Sequence, residues 1–105
     1  MYKCVFAISY REDRPKEAMY EYWEQVHAPL VLAVPGLVKY VLSDVAEDLG
    51  DTPFDWLAEL YFADRAAYDA AIASDYWTDT VVADGENFLD TSKTFGAILK
   101  ENQLC

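Results

Sequence analysis

The sequence predicts an α+β fold: an antiparallel sheet with helices packed on one face. Three observations carry that reading. Apolar residues alternate with period two in four separate stretches, they recur with period 3.6 in the stretches between, and the resulting order is β-α-β-β-α-(α)-β. That order is the ferredoxin-like split β-α-β-β-α-β arrangement. The 105 residues are one domain's worth, so the expectation is a single domain over 1–105. A chain of this length buries roughly 65% of the surface it exposes when unfolded, enough for a real core.

Residues 2–9 open the pattern as a strand, with Tyr2, Cys4, Phe6 and Ile8 on one face and Lys3, Val5, Ala7 and Ser9 on the other. Residues 11–15 break it. Asp13 and Pro15 suit a helix start, since the proline lacks only an N–H that the first turn does not use. From Lys16 the apolar set Met19, Tyr22, Trp23, Val26 and Leu30 recurs at helical spacing. Pro29 disfavours helical angles at Ala28, so the helix is expected to end or kink there, with a last turn before Pro35-Gly36.

Residues 37–45 read as a second strand with Val38, Tyr40 and Leu42 on one side, and residues 47–53 as an acidic turn. Residues 54–62 form the third strand: Phe54, Trp56, Ala58, Leu60 and Phe62 face one way, Asp55, Leu57, Glu59 and Tyr61 the other. Asp64 is the expected N-cap of a helix with the stripe Ala67, Tyr68, Ala71 and Ile72. Ser74-Asp75 start a further helix through Trp77, Val81 and Val82, with Phe88 and Leu89 beyond Gly85. Residues 93–100 close the sheet.

Helices cover only one face of such a sheet. Here the strands carry apolar residues on both faces, as Leu37, Val41, Leu57 and Tyr61 show, where a solvated face would alternate more cleanly. A homodimer through sheet faces is the expected remedy.

Composition excludes several partners. Nineteen acidic against eight basic residues give a formal net charge of −11, which repels phosphate backbones and anionic lipid, so neither nucleic acid nor membrane is expected. The same charge favours a neutral substrate. Neither a basic leader nor a membrane-length apolar run is present, which predicts a cytoplasmic protein. The two cysteines, Cys4 and Cys105, make no disulfide framework. One histidine without a cysteine cluster predicts no metal.

That histidine, His27, is the only side chain whose ordinary pKa lies near neutrality, and so the natural proton carrier. It follows Trp23 by four residues, on the same helix face. Tyr40 and Tyr61 can present phenols to a carbonyl that becomes enolate-like. Trp23, Phe62, Trp77 and Phe88 can wall a flat apolar ligand, although aromatic stripes usually serve the core. The carboxylates Asp75, Asp79, Asp84, Glu86 and Asp90 read most simply as a solvated helix face, the alternative being a single buried member that serves as a base.

The stretch Tyr22-Trp23-x-x-x-His27-Ala28-Pro29-Leu30-Val31, followed by Val34-Pro35-Gly36-Leu37-x-x-Tyr40, resembles the EthD family of the dimeric α+β barrel superfamily. The likeness continues through Leu60-Tyr61-Phe62-Ala63-Asp64, Ser74-Asp75 and Asn87-Phe88. It implies a protomer whose sheet packs on a second protomer's sheet, and a pocket between sheet and helices. Relatives of that family include cofactor-free methylmuconolactone isomerases, small polyketide cyclases and quinol-type monooxygenases. In the isomerase-like members the histidine at the position of His27 belongs to the active site. Their strand cysteine is replaced here by Leu60.

The expectation is therefore a cofactor-independent enzyme that moves protons on an apolar cyclic or polyketide-like carbonyl compound, as a cyclase, isomerase or lyase. His27, Tyr40 and Tyr61 would be catalytic, and Trp23, Phe62, Trp77 and Phe88 would bind the substrate. The alternatives are a cofactor-free monooxygenase of quinol-type substrates and a non-enzymatic binding protein.

Overall fold

The computed structural model describes residues 1–105 and runs β1 (Tyr2–Ile8), α1 (residues 16–32), β2 (Leu37–Asp44), β3 (Trp56–Phe62), α2 (Arg65–Ile72), α3 (residues 75–85) and β4 (Phe95–Leu99). The strands form one antiparallel sheet in the order β2-β3-β1-β4. This is the ferredoxin-like arrangement that the element order predicts. No helix is long and apolar enough to cross a membrane.

Pairing of Cys4 with Leu60, Phe6 with Ala58 and Ile8 with Trp56 puts those residues on the helix-covered face. Lys3, Val5 and Ala7, opposite Tyr61, Glu59 and Leu57, share the other. Of the core residues, Trp23, Trp56, Phe62 and Phe88 are the largest that are fully buried. Trp23 and Trp56 stack at 5.2 Å and 17°, an arrangement worth about 1 kcal/mol beyond the area it buries.

Helix α1 departs from the sequence reading in an instructive way. It does not stop at Ala28, which keeps helical angles (φ −57°, ψ −43°) ahead of Pro29. Instead residues Trp23–His27 form a π turn, in which the Ala28 N–H donates to the Trp23 carbonyl five residues back. A proline ring crowds the carbonyl four residues earlier, here that of Gln25; the wider turn relieves the clash. The extra residue also rotates everything that follows. Val26, expected in the core, is 43% exposed, whereas His27, Ala28 and Val31 are buried.

The turn after α1 is chemically specified. The Leu37 N–H donates to the Val34 carbonyl at 3.3 Å around Pro35 and Gly36, and Gly36 sits at φ +82°. That is a type II turn, with proline and glycine where each is favoured. Beyond it a register shift between Leu37 and Lys39 pushes Val38 out of the row expected for it, leaving it 57% exposed. Tyr40 and Leu42 stay on the helix side, opposite Leu60 and Ala58.

Asp64 caps α2 as predicted, its carboxylate accepting from the Ala67 N–H at 2.9 Å. Ser74 caps α3 through the Trp77 N–H at 3.2 Å. A second π turn, Trp77–Val82, follows. Tyr76 donates to the Leu30 carbonyl at 2.5 Å, tying α3 to the end of α1. The edge strand β4 is exposed at all five residues, and Gly96 leaves room for Phe6: a Cβ there would lie 2.8 Å from the Phe6 ring.

Candidate functional site

Between the helix face of the sheet and helices α1 and α3 lies a cavity of about 260 Å³, with 13 hydrophobic residues among the 18 that line it. Strands β1 and β3 supply its floor through Phe6, Ile8, Ala58 and Leu60; α1 supplies Trp23, His27 and Val31, and α3 supplies Trp77 and Val81. The polar groups at its wall are few: His27, Tyr40, Thr91 and Thr94. Such sparse polarity in an apolar concavity is the usual make-up of a small-molecule site.

The π turn delivers His27 to this wall, 7% exposed. Its Nδ1 lies 2.9 Å from Oδ2 of Asp84, on α3. The other carboxylate oxygen, Oδ1, accepts from the Tyr22 hydroxyl at 2.6 Å and from the Asn87 amide at 3.2 Å. The Asn87 amide also donates to the Tyr22 oxygen at 3.1 Å. Nδ1 therefore carries the proton that Asp84 accepts, and Nε2, without a protein partner, is the nitrogen left for a ligand.

Electrostatics fit that assignment. Burial pushes the His27 imidazolium pKa below the ordinary value, and the hydrogen bond and charge of Asp84 only partly restore it. Burial raises the Asp84 carboxyl, but hydrogen bonds from Tyr22, His27 and Asn87 outweigh it and hold the group below the usual carboxylate range. At neutral pH the pair is a carboxylate and a neutral imidazole. Burial likewise pushes the Tyr40 phenol up to about 12, against a hydrogen bond from Trp23, so Tyr40 is a proton donor that stays protonated. What results is a base and a neutral hydrogen-bond donor on one apolar cavity. The cavity wall gathers no group of three or more His, Cys, Asp or Glu side chains such as a metal ion needs.

Five of the seven residues expected at the site meet here: His27, Tyr40, Trp23, Trp77 and Phe88. Phe88 packs on the imidazole with ring centroids 4.8 Å apart. The other two lie elsewhere. Tyr61 is on the opposite face of the sheet, donating to Glu59 at 3.2 Å with Lys3 and Lys39 over its ring. Phe62 points to the helix side but packs on Tyr68 at 5.7 Å, away from the cavity.

The sequence does not single out Asp84 among its neighbouring carboxylates, nor Tyr22 and Asn87 as its partners. One signal was available. Val81, Asp84 and Phe88 are spaced three and four apart, so the carboxylate interrupts an apolar stripe and does not lie on a solvated face.

Solved structures with this fold span the whole chain. An EthD family protein from Bacillus halodurans is 23% identical, with a TM-score of 0.78, covering 97% of this chain and 100% of its own. A dimeric ferredoxin-like protein of unknown function from Thermobifida fusca is 12% identical at TM-score 0.71, covering 95% and 90%. A protein from Nitrosomonas europaea assigned as an antibiotic biosynthesis monooxygenase is 18% identical at TM-score 0.64, covering 96% and 98%. Among curated proteins none matches the chain. The EthD domain model matches residues 11–92, most of the sequence and all of the segment that builds the cavity's helical wall, and the chain belongs to the EthD family.

Proposed function

We propose that this protein is a cofactor-independent enzyme that moves a proton on a small, apolar, neutral carbonyl compound, in a cyclisation or isomerisation. One observation carries the reading: a neutral imidazole, oriented by a carboxylate, on an apolar cavity that also holds a protonated phenol. Nε2 of His27 removes a proton from carbon beside the carbonyl, and Asp84 stabilises the imidazolium that forms. The Tyr40 hydroxyl donates to the carbonyl oxygen as it gains negative charge. The imidazolium then returns the proton at a second position. Trp23, Trp77 and Phe88 exclude water and hold the ring system flat. At about 260 Å³ the cavity falls just under the roughly 300–1,000 Å³ range of small-molecule sites, which favours a ligand of one or two rings. The cyclase–isomerase reading extends to quaternary structure: the open sheet face, with its half-buried Val41, Leu57 and Tyr61, pairs with that of a second copy.

A second reading shares the base. His27 removes the proton of a quinol hydroxyl, and the electron-rich ring, flat against Phe88 and Trp23, then reacts with dioxygen. The resemblance to the Nitrosomonas europaea protein supports this alternative in fold alone.

The test is carbon-bound hydrogen–deuterium exchange in heavy water, with a panel of small neutral β-dicarbonyl compounds and unsaturated lactones. His27→Gln should slow exchange by about 10²–10⁴-fold while the thermal transition persists. Equal exchange by wild type and variant contradicts the proposal, and oxygen consumption coupled to turnover selects the second reading.

A further inference from the structure

The base and the cavity account for His27, Asp84 and Tyr40 but leave two polar side chains unexplained. Tyr22 belongs to α1, one turn before His27, and its ring lies 5.8 Å from Phe88. Asn87 is exposed, just past the end of α3. Neither lines the cavity, yet both hydrogen-bond to Oδ1 of Asp84 and to each other.

We propose that Tyr22 and Asn87 are positioning residues that act on His27 through Asp84: by occupying Oδ1 they leave Oδ2 to the imidazole alone and restrain the base strength of Nε2. The proposal rests on His27 being the base.

Geometry and charge supply the argument. A carboxylate has acceptor sites on both oxygens. An Asp84 free to turn would present either oxygen, at variable distance, to Nδ1. The 2.6 Å contact from Tyr22 is in the range of strong, charge-assisted O–H···O⁻ bonds, and the Asn87 amide closes the triangle. Donors that hydrogen-bond to an anion disperse its charge, so the carboxylate stabilises a neighbouring imidazolium less than an uncapped one does. Asp84 is the only charged group set against the ring. Tyr22 from the same helix and Tyr40 from β2 are phenols, and β1, β3 and β4 present no titratable side chain to the cavity. A restrained base suits a substrate already acidified by two carbonyls or an unsaturated lactone, because catalysis is best when base and operating pH are matched.

His27 is the only histidine, so its ring can be followed by NMR without assignment and without a substrate. Nitrogen-15 shifts report which nitrogen bears the proton, and the pH titration reports base strength. In Tyr22→Phe, which keeps the ring packed on Phe88, the midpoint should rise by about half a pH unit, a threefold gain in proton affinity. Asn87→Ala should move it the same way by less, and both variants should keep the proton at Nδ1. In Asp84→Asn the proton should shift to Nε2, since an amide in place of the orienting carboxylate favours the wrong tautomer. An unchanged or lowered midpoint in folded Tyr22→Phe and Asn87→Ala overturns the proposal. That failure is separable from failure of the functional reading, which turns on exchange activity in His27→Gln.

Discussion

Along β3, Trp56, Ala58, Leu60 and Phe62 are at most 3% exposed, whereas Leu57, Glu59 and Tyr61 between them stay half-buried. The two faces of one sheet thus come from the same strand and differ in how far a single chain can finish them. The helix side closes on itself. Its aromatic stack runs from Trp56 through Trp23 and Phe88 to His27, with centroid steps of 5.2, 6.5 and 4.8 Å, and the cavity that holds His27 opens beside it. The open side mixes Val41, Leu57 and Ala97 with an ion pair of Lys3 and Glu59 at 2.7 Å. The proposed chemistry sits where packing is complete enough to desolvate an imidazole, and the proposed assembly where packing is left half done.

Stability separates the faces most sharply. Trp23→Ala should cost about 3–5 kcal/mol in denaturant unfolding, because a fully buried indole in a stack cannot be replaced by collapse. Leu57→Ala should cost the isolated protomer about 1 kcal/mol or less and weaken self-association instead, read by sedimentation equilibrium. Equal losses in both variants would erase the distinction, and a wild type that sediments as a single protomer at high concentration would remove the proposed dimer. Activity gives the next largest difference. Tyr40→Phe should slow carbon-hydrogen exchange about 10–100-fold, whereas Tyr61→Phe, on the open face, should leave it unchanged; the reverse order would move the site to the other side of the sheet.

The smallest effect is electrostatic. The Lys3 ammonium holds the Glu59 carboxyl below the usual carboxylate range, against the opposing effect of burial. A depressed carboxylate contributes stability that is present above its unfolded pKa and is lost as pH falls through the folded value. Wild type should therefore lose stability below about pH 4.3 more steeply than Glu59→Gln. Parallel acid limbs for the two proteins would show that the pair contributes nothing.

Much of this was legible in the residues. Period changes set the element order, Asp64 and Ser74 announced two helix starts, Pro35-Gly36 announced a turn, and His27 with Trp23 announced the cavity wall. Two of the errors share one cause, a residue added to a regular repeat. The π turn before Pro29 advances the helix by one position, so Val26 leaves the core and Val31 enters it. The bulge at Val38 does the same to β2. Periodicity is a local signal, and an inserted residue is decided by packing across elements that the local pattern does not contain. Asp84 escaped for a related reason. Its meaning lies 57 residues away at His27, and within its own helix it is one carboxylate among several. Tyr61 and Phe62 were placed correctly on opposite faces of the strand, but which end of a face carries the cavity depends on how α1 and α3 meet.

The central claim is that His27 at rest is a neutral imidazole with its proton on Nδ1 and Nε2 free to take another. Nitrogen-15 NMR of the single histidine ring in wild-type protein at pH 7 tests it most directly. The account predicts a protonated Nδ1, an unprotonated Nε2 and a titration midpoint below the ordinary value of about 6.5. A ring charged at pH 7, or one that carries its proton on Nε2, would contradict it.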